Sequence, residues 1–205
     1  MKIAVALMSS ALLVSCGAFE KSKKQVKKVS RSDPELVGTW NTDCTESSAL
    51  DLTHGQKEVI FDLAGSFKKK EYLYDNEGCM NKSATYEVEG DYKDTGKNET
   101  NPDIKNIDFK PMTANFTLHS DALVKAMNLA KFCGISDWKK DSKRDVLGRD
   151  CMGYSVPKKE EKVLDVYNIK DRKELYFGGN FLFLSENDPS KRPEDIDPDL
   201  LYSKK

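Results

Sequence analysis

A mainly β, antiparallel fold of about eight strands is what this sequence predicts. Three observations predict it. Short segments of period-two alternation recur along the chain, turns rich in glycine, proline or aspartate separate them, and one stretch alone has helical spacing. Strands joined in chain order give an up-and-down barrel or a β sandwich, and the alternating segments place this body at residues 34–185.

Pro34 marks its start. Residues 36–44 are the first strand, with Leu36 and Trp40 on one side and Gly38 where a side chain would obstruct close packing. Residues 57–63 and 67–74 flank the Ala64-Gly65 turn and read as a hairpin. In its second arm Phe67, Lys69 and Glu71 share a face, opposite Tyr72 and Tyr74. Residues 83–92 set Ala84, Tyr86, Val88, Gly90 and Tyr92 against Thr85, Glu87, Glu89 and Asp91, the pattern of a strand with one wet side. Residues 94–103 are a polar loop, and strands at 104–109 and 113–118 follow, interrupted at Pro111.

From Ser120 the period changes. Leu123, Ala126, Met127 and Ala130 recur at intervals of three and four, which predicts a short amphipathic helix over 121–131, capped by Ser120 or Asp121 and stopped by Gly134. With the charged loop at 137–150, this forms an insertion over 120–152. A second hairpin, 162–169 with 174–177, turns at Asp171-Arg172, and the apolar run 181–184 makes a last short strand. Residues 186–205, rich in Pro, Asp and Lys, are expected to be an irregular tail.

Upstream, Met1-Lys2 gives a positive start and residues 3–14 are apolar apart from Ser9 and Ser10. That is the layout of a secretory signal, and the run falls short of the ~20 residues a spanning helix needs. Leu13-Val14-Ser15-Cys16 closes it and resembles the lipobox of bacterial lipoprotein precursors. The resemblance implies that residues 1–15 are cleaved as a signal peptide and that Cys16 carries a diacylglyceryl thioether and an acylated amino group, anchoring the chain in a membrane. Glycine rather than aspartate at position 17 implies outer-membrane sorting. Residues 16–33 hold Lys21, Lys23, Lys24, Lys27, Lys28 and Arg31 against Glu20 and the terminal Asp33, which suits a disordered basic tether beside anionic headgroups.

One of the five cysteines is thus taken by lipid. Cys44, Cys79, Cys133 and Cys151 remain, and an oxidising compartment favours two disulfides among three possible pairings. Cys44–Cys79 and Cys133–Cys151 are the expected pairs, because each flanks one local unit. Zinc is disfavoured: there is no C-x-x-C spacing, and neither His54 nor His119 lies near a cysteine at ligand spacing.

Charged residues make up 33% of the chain but nearly balance, at a net charge of -1, which argues against a nucleic-acid partner. No phosphate-cradling glycine loop or nucleophile elbow occurs, and His54 and His119 have no serine or cysteine motif beside them. Asp137, Asp141, Asp145 and Asp150 match no calcium loop. The expectation is a non-enzyme without cofactor or metal.

Gly38-Thr39-Trp40 on the first strand resembles the G-x-W motif of lipocalins and related calycin barrels. In that family the tryptophan packs across the closed end of an eight-stranded barrel and the open end takes a small apolar ligand. The family's mid-chain T-D-Y signature is missing, and its helix normally follows the last strand. The resemblance implies a binding protein for a small apolar ligand. The competing expectation is an adhesin-, inhibitor- or envelope-scaffold-like protein-interaction module with a filled core, which would meet an envelope protein through Trp138, an aromatic ringed by charge.

Overall fold

A computed structural model describes residues 33–46, 52, 54–180 and 190–205. The signal segment, Cys16, all of the tether but Asp33, and the strand expected at 181–184 lie outside the described residues.

The molecule is a closed, antiparallel, eight-stranded β-barrel. Its wall starts with β1 (Gly38–Asn41); a two-residue β2 (Thr45–Glu46) lies beside the next wall strand. Then come β3 (His54–Phe61), β4 (Ser66–Tyr74), β5 (Lys82–Lys97) and β6 (Lys105–Leu118). An insertion carries the helix α1 (Asp121–Ala130) and three two-residue strands, β7 (Arg144–Asp145), β8 (Asp150–Cys151) and β9 (Tyr154–Ser155). The wall resumes with β10 (Val163–Lys170), β11 (Glu174–Phe177) and β12 (Leu201–Lys204). Every wall strand pairs with the next wall strand in the chain, and β1 closes the ring by pairing with β3 on one side and β12 on the other.

Two expectations are corrected. The tail is not irregular throughout: residues 201–204 form β12, which pairs Tyr202 with Leu175 and Lys204 with Trp40. Four residues give a single alternation, too short a run to register as a strand behind a Pro- and Asp-rich stretch. Upstream of it, Arg192 fastens the tail to the barrel by donating to the carbonyls of Ile107 and Asp165 and to Asp108. The second correction concerns β6, where the strands expected at 104–109 and 113–118 are one strand that runs through Pro111. The ladder shifts register at Gly90, which pairs with Pro111, so a residue without an N–H sits at a bulge. A Cβ on Gly90 would lie 2.1 Å from the Lys110 carbonyl oxygen, so only glycine permits this approach. The loop at 94–103 likewise lends its first residues to β5.

The chain before β1 seals one pole. Asp33 accepts from Lys105 Nζ at 2.5 Å and from the Tyr167 hydroxyl at 3.1 Å, tying it to β6 and β10. Trp40 is fully buried, its Nε1 donates to the Leu36 carbonyl at 2.7 Å, and Lys204 Nζ stands 4.8 Å from the ring centroid. Gly38 has a φ of +134°, a backbone conformation that residues with a Cβ rarely adopt, which explains the glycine two residues before the tryptophan.

The insertion covers the other pole, between the end of β6 and the start of β10. Ser120 caps α1, whose last turn ends when Lys131 adopts a left-handed conformation, before Gly134 is reached. Met127, Phe132, Ile135, Trp138, Val146 and Val156 are buried and continue the barrel core. β7 extends the sheet beyond β10 by pairing with Asn115 and Phe116. Both expected disulfides, Cys44–Cys79 and Cys133–Cys151, are formed. The second closes a separation of 18 residues, so Cys133→Ser with Cys151→Ser should remove about 3 kcal/mol from the insertion. Hydrogen exchange should show amides of 132–156 opening well before those of β5, since a local constraint is lost.

Candidate functional site

The barrel interior consists of two aromatic clusters with a polar layer between them. Toward the sealed pole, Phe61 meets Tyr92 at 4.8 Å and Phe109 and Phe177 at 6.3 Å, and Phe177 meets Tyr202 edge-on at 5.6 Å. Toward the insertion, Phe116 contacts Tyr86 at 5.6 Å, Phe132 at 5.3 Å and Trp138 at 6.4 Å. Each cluster contributes one tyrosine to the layer.

Alternation along β4 builds the rest. Phe67, Lys69, Glu71 and Leu73 all turn inward, so two successive lumen positions are charged. Lys69 Nζ and Glu71 Oε2 lie 3.9 Å apart, with side chains 1% and 6% exposed. Lys57 on β3 and Tyr86 on β5 are the cross-strand partners of Glu71. Asp165 enters from β10, fully buried, its Oδ1 accepting the N–H groups of Val166 at 2.8 Å and Gly178 at 3.0 Å. Among the described residues, Glu71 Oε2, Tyr86 Oη and Tyr202 Oη are buried with no hydrogen-bond partner. Burial pushes both tyrosine hydroxyls to higher pKa, Glu71 adds to the shift at each, and Asp165 adds to that of Tyr202.

Loss of hydration lowers the Lys69 pKa to about 7, against the attraction of Glu71 and Asp165 and with the repulsion of Lys57. Between about pH 7 and the ordinary lysine range, the unfolded chain therefore holds a proton that the folded chain has released. Stability should rise with pH across that window, by up to about 1.4 kcal/mol per unit, and Lys69→Met should flatten the slope. Urea unfolding at several pH values between 6.5 and 9.5 (roughly the span of the window) checks this.

The residues singled out in sequence are dispersed. Trp138 does not form an exposed recognition surface: it is 2% exposed. Its backbone N–H and carbonyl are clamped by the Asn128 amide at 2.6 and 3.1 Å, and its indole donates to the Phe132 carbonyl. Charged neighbours in sequence concealed a ring that turns into the plug. Gly38 and Trp40 lie at the sealed pole, and all four described cysteines are in disulfides. Asp137 pairs with Arg144, Asp145 accepts from Leu147 N and Asp150 from Gly153 N. Among the described residues no group of three or more His, Cys, Asp or Glu side chains is placed to hold a metal.

His119 has a partner that sequence reasoning missed, since only serine and cysteine were sought. Its Nε2 lies 2.9 Å from Thr85 Oγ1 and its Nδ1 2.7 Å from Asp141 Oδ1. The connectivity is that of a hydroxyl–imidazole–carboxylate triad. Thr85, however, sits mid-ladder between Tyr72 and Thr117, where backbone N–H groups are engaged in strand pairing. The chain of contacts ties the insertion to the barrel wall. A surface groove of about 390 Å³ beside the β3–β4 turn, bordered by Ile60, Lys68, Glu89 and Met112, shares no residue with the polar layer.

No protein-family model matches this chain, and no curated protein matches it. The polar layer is the feature of the fold that packing alone does not explain.

Proposed function

We propose that this chain is a membrane-anchored bacterial envelope lipoprotein, held at the outer membrane by acyl chains on Cys16, and that its barrel is a non-enzymatic, lipocalin-like binding protein for a small, mainly apolar molecule. The observation that carries the binding reading is a polar layer buried between two aromatic clusters, in which Glu71 Oε2 and the Tyr86 and Tyr202 hydroxyls have no hydrogen-bond partner. Ligand sites combine apolar walls with a few convergent polar groups that fix orientation. Asp33 enters at the sealed pole, so the tether joins the barrel at the end opposite the insertion.

Native mass spectrometry of the purified protein should show a co-purifying small molecule. Repeatedly empty spectra, with no uptake of fatty acids or haem, would count against the reading. Cells fed a tagged fatty acid should label the wild-type product and not Cys16→Ser; equal labelling of both removes the anchor. A second reading, an interaction module with a filled core, is favoured by Leu129 and Met152, which are 87% and 62% exposed on the insertion. A ligand-free barrel that still captures an envelope protein, and loses it in Leu129→Ser, would favour that reading.

A further inference from the structure

We propose that the barrel interior recognises the protonated amine headgroup of a small apolar molecule, with Glu71 as its carboxylate partner and the Tyr86 and Tyr202 hydroxyls as neutral acceptors. The inference rests on the small-molecule reading above and names its ligand class.

The chemistry of the three atoms without a hydrogen bond selects the headgroup, Glu71 Oε2 having Lys69 Nζ 3.9 Å away beside it. An ionised Glu71 Oε2 can only accept, and each tyrosine oxygen can accept while keeping its own proton. A primary ammonium carries three donors and no acceptor, which complements a set of oxygens that can all accept. A carboxylate headgroup, the usual alternative for an apolar ligand, brings no donor to Glu71 and adds a third anion beside Glu71 and Asp165.

The surrounding charge agrees. Glu71 and Asp165 both act on Tyr202, and Glu71 acts on Tyr86, so both hydroxyls lie in the same negative field. Of the two cations that face the layer, Lys57 is half-buried. Lys69 is buried and disfavoured as an ammonium, so an arriving cation can take over its role toward Glu71, with Lys69 releasing its proton. Aromatic rings on both sides, Phe177 beside Tyr202 and Phe116 beside Tyr86, offer cation–π faces and apolar cover for the carbon skeleton.

The test titrates the full chain with hexylamine, hexanoate and hexanol, using native mass spectrometry and thermal midpoints. Hexylamine should bind about tenfold or more tightly than hexanoate. Glu71→Gln keeps the shape and removes the charge, and should erase that preference while leaving hexanol unchanged. Lys69→Met, which leaves the three acceptors in place, should retain it, and circular dichroism confirms that each variant folds. Hexanoate binding as tightly as hexylamine, or an amine preference that survives Glu71→Gln, overturns the proposal and leaves the small-molecule reading standing. If none of the three probes binds the wild-type chain, that reading fails and the proposal with it.

Discussion

A chain ending at Leu200 should fail to form a closed barrel. Without residues 201–204, β1 loses its partner on one side and β11 loses its partner on the other, so two edges open at once. Tyr202, fully buried, leaves the lumen, and Lys204 no longer lies over the Trp40 ring. Truncating a buried aromatic alone costs about 3–5 kcal/mol, and the lost ladders add to it, in a fold whose whole margin is about 5–15 kcal/mol. The truncated chain should unfold without a sharp transition and bind a hydrophobic dye that the full chain ignores. A cooperative melt within a few degrees of wild type would show that β12 is dispensable.

Trp40→Ala should have the next largest effect, a loss of about 3–5 kcal/mol. The ring is wholly buried and its N–H satisfies the Leu36 carbonyl, so truncation empties the sealed pole and orphans an acceptor. Trp40→Phe separates these contributions: most of the packing stays, and the lost hydrogen bond should cost about 1–3 kcal/mol. Urea midpoints of the two variants at one pH give the comparison, and equal losses would mean that the hydrogen bond, rather than the bulk of the ring, holds this pole.

Much of the barrel is legible in the sequence because its wall strands bury one face. The alternation of Ala84, Tyr86, Val88 and Tyr92, and the change of period at Leu123, are local signals that packing later respects. The disulfide partners were legible for the same reason, since each pair brackets one local unit. β12 was not legible because it is four residues long and is held by partners far away in the chain, Trp40 and Glu174 among them. Strand β6 was cut in two on paper by Pro111, a residue that a bulge opposite Gly90 accommodates.

The polar layer was half legible. Lys69 and Glu71 share a face with Phe67 in the sequence pattern, but a charged pair on one face ordinarily marks the solvent side. Only closure of the ring reveals that this face is interior, where Tyr202 and Asp165 arrive from the opposite wall. Trp138 is the reverse case, an aromatic whose charged surroundings suggested exposure while its backbone clamp to Asn128 turned it inward.

Because β1 is bracketed by β3 and β12, the seam of the barrel joins residues near position 40 to Ser203 and Lys204. A chain emerging from its amino end therefore holds an unsealed sheet until β12 has followed the seven other wall strands, exposing a raw edge throughout. Chaperone dependence during biogenesis should concentrate on that seam, and a circular permutant of the barrel that links Lys205 to Asp33 and opens elsewhere should mature faster than the natural order does.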